Sequence, residues 1–191
     1  NDDLLYKKNQ GKQTENSRRG VAWNNRDGKS IDERPEPVNR REEFGHWEID
    51  LVVGRKGTKP VILTLVERQT RKSLYVLIKN KNQKEVLQAL RRLQRRVKGD
   101  FTHVFKSITA DNGAEFLDGE GMKRAAKCGE VYYAHPYSSW ERGSNENGNR
   151  MLRRFLPKGT DFSKLKPKEL QRIEDWAPPA PSPDCSNRHR G

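Results

Sequence analysis

Three acidic residues sit where a carboxylate needs explaining. Asp50 lies in the middle of Gly45-His46-Trp47-Glu48-Ile49-Asp50-Leu51-Val52-Val53-Gly54, a run of β-branched and aromatic residues bounded by glycine. A lone carboxylate in an apolar strand is costly to bury unless it is paired or coordinates a cation. Asp111 follows the apolar run that closes at Ala110 and precedes Asn112-Gly113, although an ordinary Asp-Asn-Gly turn would account for it. Glu146 lies in a later amphipathic stretch, with Arg142, Asn149, Arg150 and Arg153 at helical offsets of three, four or seven. Those side chains could hold phosphates beside the carboxylate or simply offset its charge on a solvated face. Converging carboxylates suit hard divalent cations such as Mg²⁺ or Mn²⁺, which take oxygen ligands. Two such ions about 4 Å apart can activate a nucleophile and stabilise a leaving oxygen in phosphodiester chemistry. Without metal the same carboxylates would repel one another.

Other residues could compete for these roles. Glu48 and Glu141 are the nearest rival carboxylates. Under period-two alternation Glu48 shares the strand face of Asp50 and would support it from behind. His46 and His135 lack partners at metal-ligand spacing and read as structural or DNA-contacting. Trp140 and Tyr137 could stack on an unpaired base, or pack against the core. The two cysteines, Cys128 and Cys185, form neither a zinc motif nor a disulfide scaffold, which fits a reducing cytoplasm.

The elements that must position these residues follow from periodicity. Strands are predicted over 47–53, 60–67 and 73–79, and the short links between them favour an antiparallel meander. Asn82 and Glu85 resemble a capping box for a helix whose apolar face is Val86, Leu87, Leu90, Leu93 and Val97, with Gly99 placed to stop it. Its other face carries Lys84, Arg91, Arg92, Arg95 and Arg96, read as a solvated face rather than a DNA-facing stripe. A fourth strand is predicted over 104–110, a helix weakened by Gly119 and Gly121 over 114–127, and a fifth strand over 130–134. A helix over about 144–155 follows; Ser138 with Glu141 offers an alternative capped start, and Gly143 and Gly148 weaken a longer helix. A turn at 157–160 and a short helix over 167–176, opened by proline, complete the pattern.

A meander followed by alternating helices and strands predicts an α/β fold: a mixed five-stranded sheet of three antiparallel and two parallel strands, flanked by helices. The chain divides into a basic polar arm or linker (1–43), a core (44–176) and a proline-rich tail (177–191). The net charge of +13 is the footprint of a nucleic-acid binder. No apolar run approaches the roughly 20 residues needed to cross a bilayer, so no membrane partner is expected. With Asn1 in place of a start methionine, the chain reads as a fragment.

The words around the acidic residues are informative. His46-Trp47-Glu48-Ile49-Asp50-Leu51-Val52, Thr109-Ala110-Asp111-Asn112-Gly113-Ala114-Glu115-Phe116 and Ala134-His135-Pro136-Tyr137-Ser138-Ser139-Trp140-Glu141-Arg142-Gly143-Ser144-Asn145-Glu146-Asn147 resemble DDE transposases. The third, followed by Phe155-Leu156-Pro157-Lys158-Gly159-Thr160-Asp161-Phe162-Ser163, is similar to the insertion-sequence-30 family in particular, and the resemblance runs from about residue 30 to 176. It implies a ribonuclease-H-like integrase core with Asp50, Asp111 and Glu146 as catalytic, metal-holding triad. Two Mg²⁺ or Mn²⁺ ions would activate water to nick a transposon end, and then the freed 3′-hydroxyl to attack target DNA. Arg142, Asn149, Arg150, Arg153 and Trp140 would contact that DNA. The implied setting is the bacterial cytoplasm, on chromosomal or plasmid DNA, with homo-oligomers assembled on the ends.

Two departures from the family pattern set the alternatives. Nothing matches the family's N-terminal helix-turn-helix, and beyond Ile173 and Trp176 the tail does not match the family's basic helical stretch. A truncated or frameshifted copy would explain both. The chain would then be a non-catalytic DNA-binding remnant; a same-fold nuclease that cuts without joining is the other alternative.

Overall fold

The computed structural model describes residues 27–97 and 101–176. In chain order these hold β1 (Lys29–Ser30), α1 (Glu36–Asn39), β2 (His46–Val53), β3 (Val61–Glu67), β4 (Ser73–Ile78) and α2 (Gln83–Arg96). Then come α3 (Phe101–Val104), β5 (Ser107–Ala110), α4 (Gly119–Ala126), β6 (Glu130–Tyr133), α5 (Gly143–Phe155) and α6 (Pro167–Trp176). One six-stranded sheet has the order β1-β6-β5-β2-β3-β4. The pairs β2–β3 and β3–β4 are antiparallel, whereas β5 runs parallel to both β2 and β6.

Strand alternation divides the core into two layers. Trp47, Ile49, Leu63 and Leu65 face one side, where Val86, Ala89, Leu90 and Leu93 of α2 and Met122 and Ala125 of α4 cover them. Val52, Ile62 and Tyr75 face the other, under Leu152 of α5, Phe162, and Leu170 and Ile173 of α6. The Asn82 side chain caps α2 by accepting from the Glu85 N–H at 2.9 Å, as its spacing predicts. The edge strand β4 is blunted: the Glu174 carboxylate of α6 accepts from the Tyr75 N–H, and Arg92 of α2 donates to the Leu77 carbonyl at 3.5 Å. Among the described residues no helix is long and apolar enough to cross a membrane.

The α/β architecture with its mixed sheet agrees with the sequence reading, but the sheet has six strands rather than five. The extra strand, β1, lies in the segment read as a polar arm. It pairs in parallel with β6 through Lys29↔Tyr132 and Ser30↔Tyr133. Two residues carry no periodicity, so the strand is invisible to pattern reading; it is fixed instead by the capping box of Ser30 and Glu33 and by burial of Ile31 and Val38. From residue 27 onward the arm is therefore packed on the sheet. Residues 1–26, the expected stop at Gly99 and the tail 177–191 lie outside the described residues.

Other boundaries moved for local reasons. The strand expected over 104–110 begins at Ser107, because α3 occupies Phe101–Val104. The helix expected over 114–127 splits into a 3₁₀ turn, Ala114–Phe116, and α4, where the Asp118 side chain accepts from the Gly121 N–H at 2.7 Å. A Cβ at Gly119 would lie 1.7 Å from the Asp27 carbonyl oxygen, so this glycine serves close packing on the first described residues.

Candidate active site

Register brings the two aspartates together. Strands β2 and β5 pair as His46↔Ser107, Trp47↔Ile108 and Glu48↔Thr109. Continued by two residues, that parallel register sets Asp111 beside Asp50, both on the strand face that carries Glu48 and Thr109. Asp111 lies just past the last residue of β5, at the carboxyl end of the strand, where ligands gather in sheets of this kind. Its Oδ1 accepts from the Gly113 N–H at 2.8 Å, the Asp-x-Gly turn predicted from sequence.

Asp50 is partly buried. Its Oδ1 accepts from the Leu51 N–H at 2.8 Å and its Oδ2 from the Asn149 side-chain amide at 2.8 Å. Burial pushes its pKa above the ordinary aspartate value; Arg142, the Leu51 N–H and Asn149 pull it down, and the charge of Asp111 pushes it up. Arg142 spans the two carboxylates, with Nη2 donating to Asp111 Oδ2 at 3.2 Å and Nη1 standing 3.8 Å from Asp50 Oδ1. Nη1 also donates to the Ile49 carbonyl at 3.2 Å, whereas Nε is buried without a hydrogen-bond partner among the described residues.

The helix that carries Glu146 lies close on this face of the sheet. Ser144, Asn145 and Gly148 are buried on its inner side, and a Cβ at Gly148 would meet Val66 Cγ2 at 2.5 Å. Gly148, expected to weaken the helix, is thus what lets α5 approach β3. Glu48 anchors the start of α5. It is fully buried, its Oε2 accepts from the Asn145 N–H at 2.9 Å, and its Oε1 accepts from Arg68. Arg68 in turn donates to the Val38 and Asn39 carbonyls. A carboxylate at a helix N-terminus is favourably placed, and here it is also paired. Asn149 completes the link, since its Oδ1 accepts from the Thr64 hydroxyl at 3.1 Å.

Glu146 is exposed, and its side chain makes no hydrogen bond or ion pair among the described residues. It lies three residues before Asn149 and four after Arg142, the two side chains that reach the aspartates, and so shares their helix face. No three of His, Cys, Asp and Glu come together at metal-binding distance among the described residues. Asp50 and Asp111 nonetheless fit a hard divalent cation, because their oxygens already converge on the cationic guanidinium of Arg142.

The remaining candidates separate cleanly. Asn149 and Arg142 turn inward to the aspartates, while Arg150 donates to Asn147 Oδ1 and Arg153 to the Val53 carbonyl, each at 2.7 Å. Trp140 and Tyr137 are 72% and 78% exposed, so neither is a core residue. His46 bonds Ser107 and Glu43, and His135 bonds Glu141 and Asp32. Glu141, the rival carboxylate, is therefore committed to His135, accepting from its backbone N–H as well as its ring; the capped start at Ser138 does not form. Burial pushes the Cys128 thiol up to about 12. Sequence reasoning missed Arg68, Thr64 and Arg34, whose Nη1 donates to the Thr109 hydroxyl. A cation directly after an apolar strand, as Arg68 is after Glu67, was the available signal.

No family model matches the chain. The probable transposase for insertion-like sequence element IS1161 of Streptococcus salivarius is 46% identical over 145 residues, 75% of this chain and 40% of that protein. The transposase for insertion sequence element IS4351 of Bacteroides fragilis is 39% identical, covering 76% and 43%. Transposase InsI for insertion sequence element IS30A of Escherichia coli K12 is 34% identical, covering 76% and 37%. The chain thus spans about 40% of the length of the curated relatives it matches. A chain of the cryo-EM structure of a simian T-cell lymphotropic virus intasome in complex with PP2A regulatory subunit B56 gamma has the same fold. It matches with a TM-score of 0.52 at 18% identity, over 70% of this chain and 48% of that one.

Proposed function

Over about three quarters of its length the chain belongs to the insertion-sequence-30 family of transposases, and from that premise we propose that its core cleaves and joins DNA at insertion-sequence ends with divalent metal. The observation that carries this reading is the shared cation: Asp50 and Asp111, from adjacent parallel strands, converge on one positive charge at the carboxyl end of the sheet. Asp50 and Asp111 would hold Mg²⁺ or Mn²⁺, joined by Glu146 from the facing helix. The metal supplies Lewis-acid stabilisation of a phosphodiester and lowers the pKa of a bound water or hydroxyl.

The chain's own residues do the positioning. Asn149 holds Asp50 Oδ2, and the Leu51 N–H holds Oδ1, so the carboxylate cannot rotate freely. The Gly113 N–H does the same for Asp111. Glu48 fixes the start of α5, and with it the height of Glu146 above the sheet. Exposed Trp140 and Tyr137 offer flat surfaces beside the site on which an unpaired base could stack. Whole-transposase properties, including recognition of the ends and assembly of oligomers on DNA, belong to this proposal by homology.

The test is strand transfer. With Mg²⁺ or Mn²⁺, a labelled duplex end with a free 3′-hydroxyl should be joined to plasmid DNA. Cutting without joining would make the chain a nuclease of this fold. A metal-indifferent protein that binds DNA and does neither would be the non-catalytic remnant.

A further inference from the structure

Arg142 holds a position that neither DNA binding nor metal binding assigns to it. Its guanidinium lies between Asp50 Oδ1 and Asp111 Oδ2, at 3.8 and 3.2 Å. Asp111 Oδ2 is the oxygen that the Gly113 N–H leaves to the guanidinium, whereas Asp50 Oδ1 is shared with the Leu51 N–H and Asp50 Oδ2 is taken by Asn149. A divalent ion needs oxygens at about 2.0–2.6 Å, depending on the metal, and cannot share that gap with a guanidinium. The arginine is also incompletely satisfied: Nε is buried without a partner among the described residues, and the guanidinium is held by the Asp111 carboxylate, the Ile49 carbonyl and the nearby charge of Asp50. It sits at the junction of the 3₁₀ turn Ser139–Arg142 and α5, beside exposed Trp140 and one turn before Glu146.

We propose that Arg142 is a resident counter-cation, which neutralises Asp50 and Asp111 in the metal-free protein and must leave when a divalent ion enters. The inference rests on the metal-dependent reading above and adds a control to it. Metal entry is an exchange of cations, so its affinity is lowered by the strength of the Arg142 contacts. Release also frees a guanidinium at the mouth of the site, where a scissile phosphate would be its next acidic partner. The same junction carries both groups, so displacement of Arg142 and the approach of Glu146 are mechanically linked.

Calorimetric titration of the full chain with MnCl₂ tests the exchange. Arg142→Gln should bind Mn²⁺ about tenfold more tightly than wild type, the scale of a lost charge pair at partly solvated sites. Asp50→Asn should abolish binding in either background. Equal or weaker binding by Arg142→Gln, with wild-type binding intact, would overturn the exchange while leaving the metal site standing. Absence of binding in both wild type and Arg142→Gln would remove the metal reading and the inference together. A measurement on wild type alone guards against a misfolded variant. The Arg142 side-chain Nε–H resonance should shift as MgCl₂ is added and stay fixed in Asp50→Asn. If the Asp50 and Asp111 carboxyl resonances respond to Mg²⁺ while Arg142 does not, the counter-cation role is refuted.

Discussion

At Asp50 burial works against the charged form of a carboxylate that the proposed chemistry would use. Its burial favours the protonated acid, and Arg142, Leu51 and Asn149 only partly reverse that. A carboxyl whose folded pKa is raised stabilises the fold fully below its unfolded pKa, and that contribution is lost as pH rises through the folded value. At neutral pH the metal-free protein therefore carries an unfavourable charge, and Asp50→Asn should raise the urea midpoint there. The gain should vanish when both proteins are compared below the usual aspartate range, near pH 3; a gain that persists in acid would show that charge is not its origin. At this scale much was legible in the sequence. An aspartate inside an apolar strand is a conflict between local pattern and burial, and such conflicts mark functional positions. What could not be read was the partner. Arg142 was one of several arginines at helical offsets, and only the fold turns it toward Asp50 while Arg153 turns to the Val53 carbonyl.

The helix α5 is the element on which the site depends, because it brings Glu146 and Asn149 over β2 and β3. Gly148 sets its distance from the sheet. Gly148→Ala should cost about 1–3 kcal/mol by overpacking against Val66, and should lower cleavage further by lifting Asn149 away from Asp50. Adding Val66→Ala should return part of the loss, so that urea melts of the single and double variants show favourable coupling. Strictly additive melts would mean the helix does not press on Val66. The strands were legible because alternation and β-branched residues mark them, and α2 because its cap and apolar stripe agree. β1 was not, since two residues beside polar neighbours carry no period and owe their strand state to pairing with β6. Gly119 of α4 and Gly148 of α5 misled for the opposite reason: propensity counts them against a helix, whereas close packing on Asp27 and Val66 requires them.

Across the whole molecule, the sheet and its two helical layers present the site at one face, while the net charge of +13 acts at long range. Not all of the basic surface is equivalent. Arg96 of α2 is paired with Glu174 at 3.0 Å, whereas Arg91, Arg92 and Arg95 line a groove of about 660 Å³ with Lys79. DNA affinity measured by fluorescence anisotropy should fall steeply between 50 and 200 mM salt, by about a hundredfold or more if several phosphates are contacted; a flat salt profile would argue against backbone-driven binding. The fold class was within reach of the sequence because the apolar runs and their periods mark the elements, whereas the pairing of Asp50 with Asp111 depends on the register of β2 on β5. All three carboxylates stood out in the sequence, and Glu146 is the one that stands exposed, with no cluster of three ligand groups among the described residues. Glu146→Gln therefore bears on the account most directly. Nicking of supercoiled plasmid should require Mg²⁺ or Mn²⁺ in wild type and fall to background in Glu146→Gln, with DNA binding retained. A Glu146→Gln protein that nicks at the wild-type rate, while Asp50→Asn does not, would contradict the three-carboxylate site.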